Sequence, residues 1–153
     1  MTTSTPKIAA LFVLSNGPYA EVPGVDLWDQ ARDARRYDGP YRIVAHPPCE
    51  RWGRYCWINA DFEGGWTCCV YQGNYGHRAQ KATWLYAVGV PLPSLKWGGS
   101  GQRIRLDDGY HSAEERRRAI KTGVCQRLSK RQRLETPIPF RDLLLTIARG
   151  HAR

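Results

Sequence analysis

No apolar run in this chain approaches the length needed to cross a membrane, and no signal peptide opens it. No membrane partner is therefore expected, and the expected compartment is the cytoplasm. Its five cysteines (Cys49, Cys56, Cys68, Cys69 and Cys125) are odd in number and lack framework spacing, so reduced thiols are expected. Paired Cys-x-x-Cys knuckles are missing too, and no metal site is expected from His46, Cys49, Cys56, Cys68, Cys69 and His77. The glycine-rich fingerprint that cradles phosphates is absent: only Gly17 stands in the turn after the first apolar run, with Gly24 well beyond it. Acidic residues are in deficit, 14 against 23 Lys and Arg, for a net charge of +9.

What is present suits one globular domain. A length of 153 residues with 42% hydrophobic and 11% aromatic content is enough to bury a core without disulfides or metal. The charge is unevenly placed. Residues 1–100 carry 10 basic against 8 acidic side chains, whereas residues 101–153 carry 13 against 6. A basic C-terminal third suggests an anionic partner, nucleic acid first, although a merely solvated surface stays open as an alternative.

The chain is organised around Ile43-Val44-Ala45-His46-Pro47-Pro48-Cys49. Residues 43–45 read as a short, fully buried strand of a parallel sheet. Two prolines end it, because neither can donate a ladder hydrogen bond, and they stiffen the backbone where Cys49 emerges. Residues 7–14 read as an earlier buried strand that stops at Ser15-Asn16-Gly17-Pro18. Between the two, residues 26–37 predict a crossover helix. Asp26 would cap it, Trp28, Ala31 and Ala34 or Arg35 would face inwards, and Asp29–Arg32 and Asp33–Arg36 would pair. Strand, helix and strand in that order imply a parallel βαβ unit. Further on, residues 66–71 and 82–88 read as a strand pair around a turn at 73–78.

Ala45-His46-Pro47-Pro48-Cys49 at the end of an apolar strand resembles the Pro-Pro-Cys motif of cytosine carbon-5 methyltransferases. The resemblance is greatest to the compact methyltransferase-like proteins of phages and prophages. Tyr75-Gly76 with Arg78 and Lys81, ahead of Thr83-Trp84-Leu85, resembles the family's later hairpin motif, with Lys81 and Thr83 where arginines are frequent. The resemblance implies a reduced, Rossmann-like α/β fold with a mostly parallel sheet and C-terminal helices. It implies Cys49 as the nucleophile that adds to carbon 6 of a flipped-out cytosine, with S-adenosylmethionine as cofactor. It gives Arg78 and Lys81 the task of holding the target pyrimidine or a nearby phosphate. One departure is large. Family members carry a further strand between these motifs, with a glutamate that protonates the cytosine ring, whereas only residues 51–64 lie between them here.

After Cys49, Arg51 and Arg54 alternate with Trp52, Tyr55 and Trp57, which suits phosphate contact beside base stacking; core aromatics remain the alternative. Residues 90–101 form a proline- then glycine-rich connection, dividing a methyltransferase-like core (1–97) from a basic helical region (98–153) that packs on it as one globular unit. In that region Ser112-Ala113-Glu114-Glu115 is a capping box for a helix to about Thr122, with Gly123 as its C-cap and Arg116, Arg117, Arg118 and Lys121 as a positive face. Ser129 to Gln132 repeats the box. Pro137 and Pro139 open a last helix whose Phe140, Leu143, Leu144 and Ile147 form an apolar stripe expected to lie on the sheet. Three functions stay open: a DNA cytosine methyltransferase acting through Cys49, a non-catalytic nucleic-acid-binding descendant (DNA before RNA), and a phage-type protein that binds and inhibits a host protein or ribonucleoprotein.

Overall fold

The computed structural model describes residues 7–46, 65–101, 104, 112–122 and 128–150. They form a mixed α/β unit: a three-stranded parallel sheet, an antiparallel hairpin and three helices from the C-terminal third. Strand β1 (Ile8–Leu11) is central, β2 (Val25–Trp28) lies on one side and β3 (Arg42–Ala45) on the other, both parallel to it. The hairpin pairs β4 (Trp66–Tyr71) with β5 (Ala82–Ala87). Helices α1 (Ala113–Thr122), α2 (Lys130–Leu134) and α3 (Ile138–Arg149) follow.

Strand β1 is shorter than the apolar run that contains it, because Phe12 takes a left-handed φ of 58° and turns the chain out of the ladder. The crossover helix expected over residues 26–37 is not there. Val25-Asp26-Leu27-Trp28 alternates with a period of two and is strand β2, and only a 3-10 turn at Ala34–Arg36 follows. Strand geometry puts Asp26 and Trp28 on one face, so the Trp28 indole donates to the Asp26 carboxylate at 2.9 Å. Arg32 then pairs with Asp26 at 2.6 Å and lies over the Trp28 ring at 4.1 Å, instead of pairing with Asp29. Asp29 accepts from the backbone N–H groups of Ala31 and Arg32, and Asp33 pairs with Arg35 rather than Arg36. These local carboxylate–backbone bonds favour turns over helix.

The burial expected of residues 43–45 belongs to β1 instead. All four β1 residues are buried, whereas in β3 only Val44 is, and Ile43 is 52% exposed. The cause is position: β1 is covered by strands on both sides, while β3 pairs with β1 alone among the described strands.

Helix α3 is the element that joins sheet and hairpin. Leu145 and Ala148 pack with Ile8, Ala10 and Val44 on the sheet. Phe140, with Leu143 and Ile147, packs with Val70, Tyr75 and Leu85 of the hairpin and with Leu95 in the connection after it, and Leu144 touches both groups. Most of the stripe expected to lie on the sheet therefore lies on the hairpin. The sheet contact comes from residues one step round the helix, because Ala10 and Val44 are short enough to let the helix lie close. At its C-terminus, Gly150 adopts φ 72° and donates to Ile147, while Arg42 donates to the Ala148 carbonyl at 3.1 Å. A cation there also complements the negative end of the helix dipole.

Candidate functional site

The first resembling motif is described only as far as His46, at the carboxyl end of β3; Pro47, Pro48 and Cys49 lie outside the described residues. His46 follows β3 directly, and its backbone N–H donates to the Leu11 carbonyl at 3.0 Å, extending the ladder by one bond. Its imidazole Nε2 shares a 2.7 Å hydrogen bond with the hydroxyl of Tyr19, a residue held under α3 in the turn after β1. Burial, reinforced by the nearby Lys81 ammonium, lowers the His46 pKa to about 4. Burial also drives the Tyr19 phenol well above its usual value. At neutral pH the pair is therefore a neutral imidazole and a neutral phenol, rigid and uncharged. Lys81, which immediately precedes β5, is near enough to His46 to act on it electrostatically.

The loop is built by short backbone bonds. Gln72 and Gly73 donate to the carbonyls of Lys81 and Gln80, and Gly76 closes the turn at φ 95°, which only glycine takes without strain. Tyr75 is buried against Phe140, with ring centroids 5.6 Å apart, and its hydroxyl accepts the Lys96 N–H at 3.0 Å. The Tyr-Gly pair is thus a structural hinge for the loop. Buried His77 accepts the Ala79 N–H on Nδ1 at 3.0 Å and approaches the Gln132 carbonyl with Nε2 at 3.2 Å, the tautomer with the proton on Nε2. This ties the loop to α2, whose Ser129–Gln132 capping box is fully formed. Lys81, at a left-handed φ of 45°, adds a 2.7 Å bond from Nζ to the Glu135 carbonyl.

Of the predicted nucleic-acid residues, Arg78 is exposed on this loop beside the Lys81 position. Arg116, Arg117 and Arg118 are exposed on α1, which buries none of its residues. Arg118 pairs with Glu114 at 3.5 Å, and Arg117 Nε donates to the Ala113 carbonyl at 3.4 Å. Cys49, Arg51 and Arg54 lie outside the described residues. Of the thiols in view, Cys68 faces the hairpin core, and burial raises its pKa.

The turn after β1, where the resemblance would put S-adenosylmethionine, does not fit that cofactor. It is a series of backbone bonds closed on itself, Gly17 to Leu14, Ala20 to Gly17 and Val22 to Tyr19, with the Tyr19 ring filling the space beneath. A Cβ on Gly17 would meet the Leu14 carbonyl at 3.1 Å, so that glycine serves the turn rather than the approach of a ligand. Among the described residues no group of His, Cys, Asp and Glu is arranged to hold a metal ion.

Comparison with family models, with curated proteins and with solved structures returns no match. The functional reading therefore rests on the residues themselves. Sequence reasoning missed Tyr19 as the partner of His46 and His77 as the loop anchor. The first had no local signal, since 27 residues separate the pair. The second was visible only as a histidine between a glycine turn and a basic stretch.

Proposed function

We propose that this protein binds nucleic acid, DNA before RNA, on a cationic face formed by the hairpin loop and the arginine-rich helix α1. The observation that carries the reading is the exposure of Arg78 on the loop and of Arg116, Arg117 and Arg118 on α1, with Lys81 near enough to act electrostatically on His46 at the carboxyl end of β3. That sheet edge is the usual ligand edge of open α/β folds. Arg78 and Lys81 would engage phosphate at the sheet edge, and Arg116, Arg117 and Arg118 would add contacts along the backbone. Cys49, three residues beyond His46, is the nucleophile that the Pro-Pro-Cys resemblance assigns, so base modification of the cytosine methyltransferase type is the chemistry this scaffold descends from. Binding is put first because residues 51–64 are too short a connection for the family's glutamate-bearing strand, which supplies the general acid.

The test is a salt series of DNA-binding titrations on the wild type, Arg78→Ala/Lys81→Ala and Cys49→Ser. The expected result is binding that weakens steeply with salt, is reduced in the double variant and is unchanged in Cys49→Ser. No binding at low salt overturns the reading. Methyl transfer from labelled S-adenosylmethionine that disappears in Cys49→Ser would instead make the protein an active methyltransferase.

A further inference from the structure

Helix α1 buries none of its residues, yet its charges are not spread evenly around it. At about 3.6 residues per turn, Ala113, Arg116, Arg117, Ile120 and Lys121 fall within one arc of about 140°. Both carboxylates of the helix, Glu114 and Glu115, fall outside that arc. They occupy the first turn, where they complement the helix dipole, and Ser112 Oγ caps the same turn by accepting the Glu115 N–H at 3.1 Å. Arg118 also stands outside the arc and pairs with Glu114 at 3.5 Å. Within the arc, Arg116, Arg117 and Lys121 are all exposed. Ile120, 70% exposed, lies among them, four residues from Arg116, three from Arg117 and next to Lys121. Ten residues is also short of the roughly 12–15 that a helix needs to hold its shape alone in water. Capping starts α1, and the packing that would sustain it is left to a partner.

From this geometry we propose that α1 docks by that arc in the major groove of double-stranded DNA, with Ile120 and Ala113 towards the groove floor and Arg116, Arg117 and Lys121 towards the phosphates. It rests on the nucleic-acid reading above and adds the form of nucleic acid, the groove and the side of the helix that meets it. Charge complementarity selects the partner, since three exposed cations with no carboxylate among them suit a polyanion. Size selects the groove. A helix with its side chains is about 10–12 Å across and the major groove of B-form DNA about 12 Å wide, whereas the minor groove, about 6 Å wide, does not admit one. The thymine methyl on the major-groove floor offers an apolar contact to a branched side chain such as Ile120. A-form RNA closes its major groove to side chains, and a single strand has no groove to enter. A membrane surface would need a broader apolar side than Ile120 and Ala113 provide.

Fluorescence anisotropy over a salt series, with a labelled mixed-sequence duplex and an oligo(dT) of equal length, tests this, and methylation of guanine N7 by dimethyl sulfate reports on the major groove. The variants are Arg116→Gln/Lys121→Gln within the arc, Ile120→Glu at its centre and, charge-matched to the first on exposed positions of α2, Lys130→Gln/Arg131→Gln. Wild type is expected to prefer the duplex and to protect guanine N7. Arg116→Gln/Lys121→Gln should lower the salt slope by about 2 and abolish the protection, as should the carboxylate of Ile120→Glu, whereas Lys130→Gln/Arg131→Gln should keep both slope and protection. Equal losses in the arc and α2 variants overturn the groove docking but not the nucleic-acid reading. So does wild-type binding that leaves guanine N7 fully reactive, or oligo(dT) bound as tightly as the duplex. A wild type that binds neither nucleic acid at low salt overturns both readings.

Discussion

Helices α1 and α3 are of similar length and come from the same basic third of the chain, yet they do opposite things. Helix α3 buries Phe140, Leu145 and Ala148 and holds the sheet and hairpin together. Helix α1 buries nothing, leaves Ile120 70% exposed and presents Arg116, Arg117 and Arg118 to solvent. The difference lies in where the apolar residues fall. In α3 they recur at helical spacing and make a stripe, whereas in α1 Ala119 and Ile120 stand together among charges. A capping box starts a helix, but only a stripe gives it a place in the core. The contrast separates the residues that keep the molecule folded from those free to meet a partner.

The sharpest way to break that contrast is Phe140→Ala, expected to cost about 3–5 kcal/mol. Ile120→Ala should stay within about 0.5 kcal/mol of wild type. Denaturant unfolding of both variants measures the gap, and equal losses would dissolve the distinction. The second effect concerns the sheet edge that α3 covers. His46 has a folded-state pKa of about 4, below its unfolded value. The unfolded state therefore takes up the proton first, and stability present above about pH 6.5 is lost as pH falls towards 4. The loss is on the order of 3 kcal/mol, and His46→Gln should flatten the stability profile in that window.

Smaller again is Arg42→Met, which removes the cation from the α3 C-terminus and should cost about 1 kcal/mol, read as a lower unfolding midpoint. The smallest effect on stability is expected on α1. Replacing Arg116, Arg117 and Arg118 with glutamine should leave the unfolding midpoint almost unmoved. If all three meet phosphates, the same variant should reduce the salt slope of DNA binding by up to about 3. A variant that unfolds while retaining its slope would reverse the roles given to the two helices.

Much of this architecture was legible in the residues. The hairpin strands follow from Trp66-Thr67-Cys68-Cys69-Val70-Tyr71 and its returning partner, and the caps at Ser112 and Ser129 mark their helices. What failed was the segment after the first strand. Its charges suggested helix pairs, but Asp26 and Trp28 alternate, and Asp29 and Asp33 spend their oxygens on nearby N–H groups or on Arg35. Four-residue strands give periodicity little to work with, and pairing on both sides of β1 is a tertiary fact. The site was legible in part: Arg78 and the α1 arginines stand exposed as expected, whereas the Tyr19–His46 bond depends on which faces α3 covers.

Leu144 rests against both apolar clusters at once, in a helix more than fifty residues beyond the hairpin and nearly a hundred beyond β3. A single late segment thus closes two cores at once, so neither the sheet nor the hairpin completes its apolar packing until residues 138–150 are in place.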